Sequence, residues 1–382
     1  MKAIKLAMAL VMLFGLTGCW SRVELDEWAF AFGLYLDVGP APGTVSVTIS
    51  TPLPNHLTSG QQTGSSGGAN KPYAMITKTG RTIPDALVMI QQDLSRQLSL
   101  AELKVILVGK AYAAQGLTDL LEWITRDPEV SMGAFLIGTD NVIQTANLTP
   151  IYEQIPSQIL MSFASERHML NTSARDCLVA SSYGLGYGLT YITSSSVPTP
   201  EKSADGNRTW SGINGVMLFN KEKLKGTLDL EEGRSLALAY GKLKDPSYTI
   251  YWNNEKSYAN AIFTKTSSRR TVRLEKGRPV FTIHLKGRVG LTTVKDQEGR
   301  NANALHNLIL RQLNRQIRQN VEQALTKTQE AGTDAMRLGS LVEWNYPKLW
   351  QKLRPRWEEA YRKEVDIRVV TDYTLNDYGK QN

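Results

Sequence analysis

The sequence predicts a mixed α/β protein (α+β in its pairing) whose mixed sheets are flanked by helices. Three observations carry this. Short apolar runs alternate with helical patterns through the first half, an order that builds partly parallel sheets covered by helices. The last third pairs alternating strands with one long amphipathic helix. Hydrophobic residues make up 42% of the chain and charged residues 21%, a globular composition able to bury a real core.

The elements follow in order. Val23 to Val38 opens the folded part with Trp28, Phe30, Phe32 and Leu34. Val45, Val47 and Ile49 alternate with Ser46, Thr48 and Ser50, the pattern of a half-buried strand. Residues 58–70, rich in Gly, Ser, Thr and Gln, have the composition of a loop. Pro84 after Thr82 suits a helix start, and Ile83, Leu87, Ile90, Leu94 and Leu98 extend the helical spacing over 83–98. Lys104 to Gly109 reads as a buried strand. Gly116 to Thr125 reads as a helix with Leu117, Leu120, Leu121 and Ile124 inward, and Gly133 to Gly138 as another short strand. Thr149 to Leu170 reads as a helix broken at Pro156.

Residues 193–208 have linker composition, and a middle module begins around Gly215–Phe219 and Leu224–Leu228. In the carboxyl part, Phe281, Ile283, Leu285, Val289 and Leu291 mark a strand with one wet face. Leu305, Ile309, Leu313, Ile317, Val321 and Leu325 recur every four residues within a helix over 303–328. Val365, Ile367, Val369, Tyr373 and Leu375 mark a final strand. A chain of 382 residues has room for two or three domains.

The amino terminus reads as an export signal. Lys2 and Lys5 precede 11 residues, Leu6 to Leu16, interrupted only by Gly15. That run is too short for a hydrocarbon core of roughly 30 Å, which needs about 20 helical residues. Leu16-Thr17-Gly18-Cys19 then forms a lipobox. Cleavage falls between Gly18 and Cys19, and the Cys19 thiol takes a diacylglyceryl group. Two acyl chains on one cysteine make a durable anchor, so the chain after residue 18 sits outside the membrane. Cys177 is then the only other cysteine, and no intramolecular disulfide can form.

Charge and motifs exclude several classes. The chain carries 44 basic and 36 acidic side chains; without Lys2 and Lys5 the balance is 42 to 36, a net of +6. This diffuse excess suits an anionic surface but lacks the dense basic block of a nucleic-acid binder. His56, His168, His284 and His306 are too scattered to share a metal, and His284 falls on the wet face of its strand. Gly184-Leu-Gly-Tyr-Gly188 lacks the acidic partner of a dinucleotide fingerprint and reads as a flexible turn. Cys177, beside Arg175 and Asp176, reads as an inert buried thiol. Asp334, Glu343, Glu358 and Glu359 have no spacing that pairs them for acid–base chemistry. Arg311, Arg315 and Arg318 read as a solvated helix face, and Trp344, Tyr346, Trp350 and Trp357 as core packing. No catalytic residues, metal or cofactor are expected.

Several segments together resemble the Ger(x)C family, the C subunit of nutrient germinant receptors in endospore-forming bacteria. They are Gly18-Cys19-Trp20-Ser21-Arg22-Val23-Glu24-Leu25; Thr79 to Ile83 with Lys104 to Val108; Leu121 to Glu129; Gly215 to Phe219 with Lys223 to Gly226; and Gln329, Asp334, Tyr346-Pro347, Trp350 and Trp357. The resemblance implies a three-domain, non-catalytic lipoprotein, divided here as 19–195, 209–264 and 265–382 after a removed 1–18 signal. It implies a place on the outer face of the spore inner membrane, held by diacylglyceryl-Cys19 beside two integral membrane subunits, of A and B type. A solute-binding lipoprotein of a transporter is the alternative. It would show two similar α/β lobes around an aromatic pocket.

Overall fold

The computed structural model describes residues 24–53, 71–148, 155–166, 168–198, 207–244 and 246–376. A short 3-10 turn, Leu25–Glu27, leads into β1 (Trp28–Phe30), β2 (Gly33–Val38), β3 (Val45–Pro52) and β4 (Tyr73–Gly80). Next come α1 (Ile83–Gln92), β5 (Gln97–Ser99), β6 (Val105–Gly109), α2 (Lys110–Gln115), α3 (Thr118–Arg126), β7 (Phe135–Thr139) and α4 (Val142–Ala146). They are followed by α5 (Pro156–Ser165), α6 (Ala174–Tyr183), β8 (Gly186–Pro198), β9 (Asn207–Asn220), β10 (Lys223–Leu228) and α7 (Leu230–Tyr240). The carboxyl part holds β11 (Ser247–Trp252), β12 (Ser257–Glu275), β13 (Arg278–Lys295), α8 (Ala302–Glu330), α9 (Leu338–Asn345), α10 (Pro347–Leu353), α11 (Trp357–Lys363) and β14 (Asp366–Leu375).

Two sheets organise the molecule. The larger has eight strands in the order β10-β9-β8-β7-β6-β2-β3-β4. Its centre, β8-β7-β6-β2, is parallel, and antiparallel strands finish both edges. Parallel strands need crossover helices, and these cover both faces. Leu34, Leu36, Ile106 and Val108 turn one way toward α1, α2 and α3; Tyr35, Val105, Leu107 and Ile137 turn the other way toward α4 and α5. Every residue of β6 is therefore buried. The smaller sheet, β11-β12-β13-β14, is antiparallel except for the β13–β14 pair. It is covered on one face by α8, whose Ile309, Leu313, Ile317, Val321 and Leu325 are all buried. The fold class and the long helix agree with the sequence reading.

Several local expectations are corrected. The helix expected over 83–98 ends at Gln92, where the Asp93 amide turns back onto Gln91 and Ile90. The Gln91 side chain then donates to Arg96 O and accepts from Leu98 N, at 3.0 and 2.7 Å, and so steers Leu98 into β5, which pairs parallel with β1. Pro156 starts α5 rather than breaking a helix, because the missing amide hydrogen costs nothing in a first turn. Residues 193–198 and 207–208, read as linker, extend the antiparallel β8–β9 pair. Backbone pairing overrode their composition. Residues of the expected middle segment join both sheets, 209–228 in the larger and 247–264 in the smaller. Gly184-Leu-Gly-Tyr-Gly188 is not a flexible turn: Gly184 closes α6 in the left-handed conformation (φ 72°), and β8 begins at Gly186. Helices α6 and α7 were not foreseen. Both start with capping boxes, Ser173 with Asp176 and Asp229 with Glu232, a signal their sequences do carry.

Candidate functional site

The lipobox residues Gly18 and Cys19, the 1–18 signal, the 58–70 loop and His56 lie outside the described residues. Glu24 is the first described residue, five positions after Cys19. Four of the other singled-out residues, Gln329, Asp334, Trp350 and Trp357, come together at and beside the loop between α8 and α9, where the two sheets meet.

Asp334 is the centre of this joint. It is 1% exposed and accepts three hydrogen bonds: Leu338 N and Gly339 N at 2.7 Å each, and Trp357 Nε1 at 3.1 Å. It thus satisfies amides in the first turn of α9, which have no partner within the helix. Burial pushes its carboxyl above the usual range, against the pull of those donors and of Arg270. Trp357 in turn packs edge-on against Trp350, ring centres 5.1 Å apart. Gln329 donates to Tyr361 O and Val365 O, at 3.1 and 3.0 Å, fixing the approach to β14.

The joint reaches across to the larger sheet. Asn220 of β9 donates to Gly332 O at 2.7 Å. Arg337 adopts the left-handed conformation (φ 55°), uncommon for a residue with a side chain. From there its guanidinium reaches Asp176 of α6, donating to Asp176 O at 2.9 Å and Oδ1 at 3.0 Å. Burial of Asp176 works against ionisation, but the Ser173 amide and hydroxyl and the Arg337 guanidinium outweigh it and hold the carboxyl below the usual range. Arg270 of β12 donates to Met336 O at 2.6 Å from the opposite side. The glycine run has its purpose here. A Cβ at Gly186 would stand 2.8 Å from Asp334 N and 2.7 Å from Thr333 Cγ2, so only glycine lets the loop press on β8.

The remaining candidates are dispersed. Cys177 is fully buried, and burial pushes its thiol well above the usual range, with the Asp176 charge adding to this. Such a thiol is a poor nucleophile. Arg311, Arg315 and Arg318 are exposed on α8, and His284 is exposed on the open face of the smaller sheet. Glu358 pairs with Lys225 of β10 at 2.8 Å, and Glu359 with Lys363 at 3.1 Å. The aromatic group divides. Trp350 and Trp357 are core, but Trp344 is 74% exposed, a correction to the packing expected of it, because its position on α9 faces away from the helix's buried residues Leu338, Gly339 and Val342. Sequence reasoning passed over Arg270, Asn220 and the Arg337–Asp176 pair. Their partners lie at least 66 residues away, and no local pattern marks them. Among the described residues no group of His, Cys, Asp or Glu is arranged to hold a metal ion, and no helix is long and apolar enough to cross a membrane.

The joint lies in regions that this chain shares with known proteins. Residues 21–176 match the family model for the spore germination protein N-terminal domain, and residues 214–379 match that for the spore germination B3/GerAC-like C-terminal domain. Residues 329–357 of the joint fall in the second match, and Asp176 closes the first. Spore germination protein B3 of Bacillus subtilis (strain 168) is 24% identical, covering 99% of this chain and 98% of its own length. The putative spore germination protein YfkR of the same organism is 22% identical, covering 98% and 96%. The crystal structure of the GerBC protein superposes with a TM-score of 0.56 at 18% identity, over 91% of this chain and 98% of that one, and so shows a shared fold. The two models match in order and between them cover most of the chain: the chain belongs to the Ger(x)C family of spore germination proteins.

Proposed function

We propose that this chain is the lipid-anchored, non-catalytic C subunit of a spore germinant receptor, needed for nutrient-triggered germination. Diacylglyceryl-Cys19 holds it to the outer face of the spore inner membrane, and the folded body meets the exposed parts of two integral membrane subunits, of A and B type. The ordered match of both family models is the observation that carries this reading, and the lipobox supplies the anchor. The joint around Asp334 supports a scaffold. It ties the two sheets through hydrogen bonds and a continuous apolar core, so that the body can hold partners at a fixed spacing. The solute-binding alternative calls for two similar lobes, whereas these sheets differ in strand number and in pairing.

Cys19→Ala tests the proposal in spores with no other copy of this subunit. The variant is expected to leave the membrane fraction and to abolish the response to the receptor's germinant. Undiminished germination would overturn the reading.

A further inference from the structure

An apolar groove lies at the amino-terminal end of the larger sheet, beside its β3–β4 edge. It has a volume of about 530 Å³, within the range of roughly 300–1,000 Å³ typical of ligand sites. One wall is β1 with the turn before it and residues 94–96 leading into β5, and the other is the end of β3 with Ala74 of β4. Leu25, Trp28, Phe30, Phe32, Leu53 and Leu94 supply the apolar lining, and Arg96 the charge.

Three features single this groove out. Trp28 and Phe30, two apart on β1, stack with ring centres 6.3 Å apart and share one face of the strand. Neither is fully buried, and Leu25 is 79% exposed, so the strand's apolar face is left without a cover among the described residues. An isolated two-stranded sheet of three-residue strands is weak by itself. Arg96 has no carboxylate partner among the described residues, and Lys71, three positions before the lining residue Ala74, sits over the ring of Tyr73, 5.5 Å from its centre. Tryptophan with flanking cations is the chemistry of the headgroup–acyl boundary, where a ring with an apolar body and a polar edge meets both phases.

Chain length selects the occupant. Leu25 lies six positions after Cys19, and an extended chain spans at most about 3.6 Å per residue, so roughly 22 Å. A lipid on residue 19 therefore keeps Leu25 within that distance of the bilayer surface, and the groove is the apolar feature that this tether holds there. Resting on the anchoring reading above, we propose that this groove is a membrane-contact site. Leu25, Trp28 and Phe30 enter the boundary between headgroups and acyl chains, and Arg96 meets anionic lipid phosphate.

The test uses the full lipidated chain carrying Leu25→Cys, labelled with an environment-sensitive fluorophore. Leu25 is exposed, so the fold is unaffected. Cys177 is fully buried and does not react, and the Cys19 thiol is consumed by its lipid. The chain is reconstituted in vesicles of phosphatidylcholine and phosphatidylglycerol, some bearing a nitroxide high on the acyl chain. The expected result is a blue shift at position 25 and loss of most of the emission to the nitroxide lipid, with no change for the same label at Trp344→Cys. A position-25 label that stays in water while the chain remains vesicle-bound overturns the inference and leaves the anchor standing. Shielding of that label before vesicles are added, or equal quenching at position 344, also overturns it. Mass spectrometry reports the anchor separately: an unmodified, labelled Cys19 overturns the anchoring reading and the inference with it.

Discussion

The joint at 329–357 and the groove between residues 25 and 96 are built on opposite principles. At the joint the chain completes itself: a buried carboxylate takes three donors, a strained arginine spans to the other sheet, and glycine clears the space for both. At the groove the chain stops short, leaving aromatic side chains half-covered on a minimal sheet. Saturated polar contacts with tight packing specify one internal arrangement. An uncovered apolar surface waits for a partner outside the chain. Stability and attachment should therefore separate cleanly between the two regions.

Removing the centre of the joint should cost most. Asp334→Ala leaves three buried donors unpaired, each worth about 1–3 kcal/mol, so a loss of at least about 3 kcal/mol is expected in denaturant unfolding. A loss under 1 kcal/mol would show that the joint holds little. Gly339→Ala comes next. Its Cβ would stand 2.6 Å from Leu185 Cδ2 and 2.7 Å from Trp350 Cη2, and overpacking of this kind costs about 1–3 kcal/mol by the same assay.

Asp176→Asn should cost about 1 kcal/mol or less, and only at the right pH. The folded-state pKa is depressed, so the native carboxylate contributes stability above about pH 4. That contribution fades as pH falls through the native value, and the gap between wild type and variant should close in acid. A gap independent of pH would mean that neither the Ser173 donors nor the Arg337 pair favours the charged carboxylate. The smallest stability effect belongs to the groove: Leu25→Glu should change unfolding by about 0.5 kcal/mol or less, as exposed positions do. If it destabilised the fold as the joint variants do, the contrast between the two regions would fail.

Local pattern made much of this protein legible. The buried face of α8 was readable because a four-residue repeat needs no knowledge of what it packs against, and β6 because four consecutive apolar residues ending in glycine suit a short strand covered on both faces. The lipobox and the family-like segments likewise lie within a few residues of sequence. Composition misled where pairing was decided at a distance: the polar run at 193–198 became strand because β9 supplied its hydrogen-bond partners. Trp344 and Trp350 look alike as residues, and only the packing of α9 against α10 put one in water and the other in the core.

What the sequence determined by itself was the period of α8, the apolar run of β6, the capping boxes its pattern carries and its family; these depend on neighbours a few positions apart. What tertiary structure alone decided was how those elements meet: Arg337 finding Asp176 across 161 positions, Asn220 finding Gly332 across 112, and Leu25 coming to lie beside Leu53 and Leu94 in one groove. Such encounters depend on where two sheets come to rest in space, and no short window of residues carries that information.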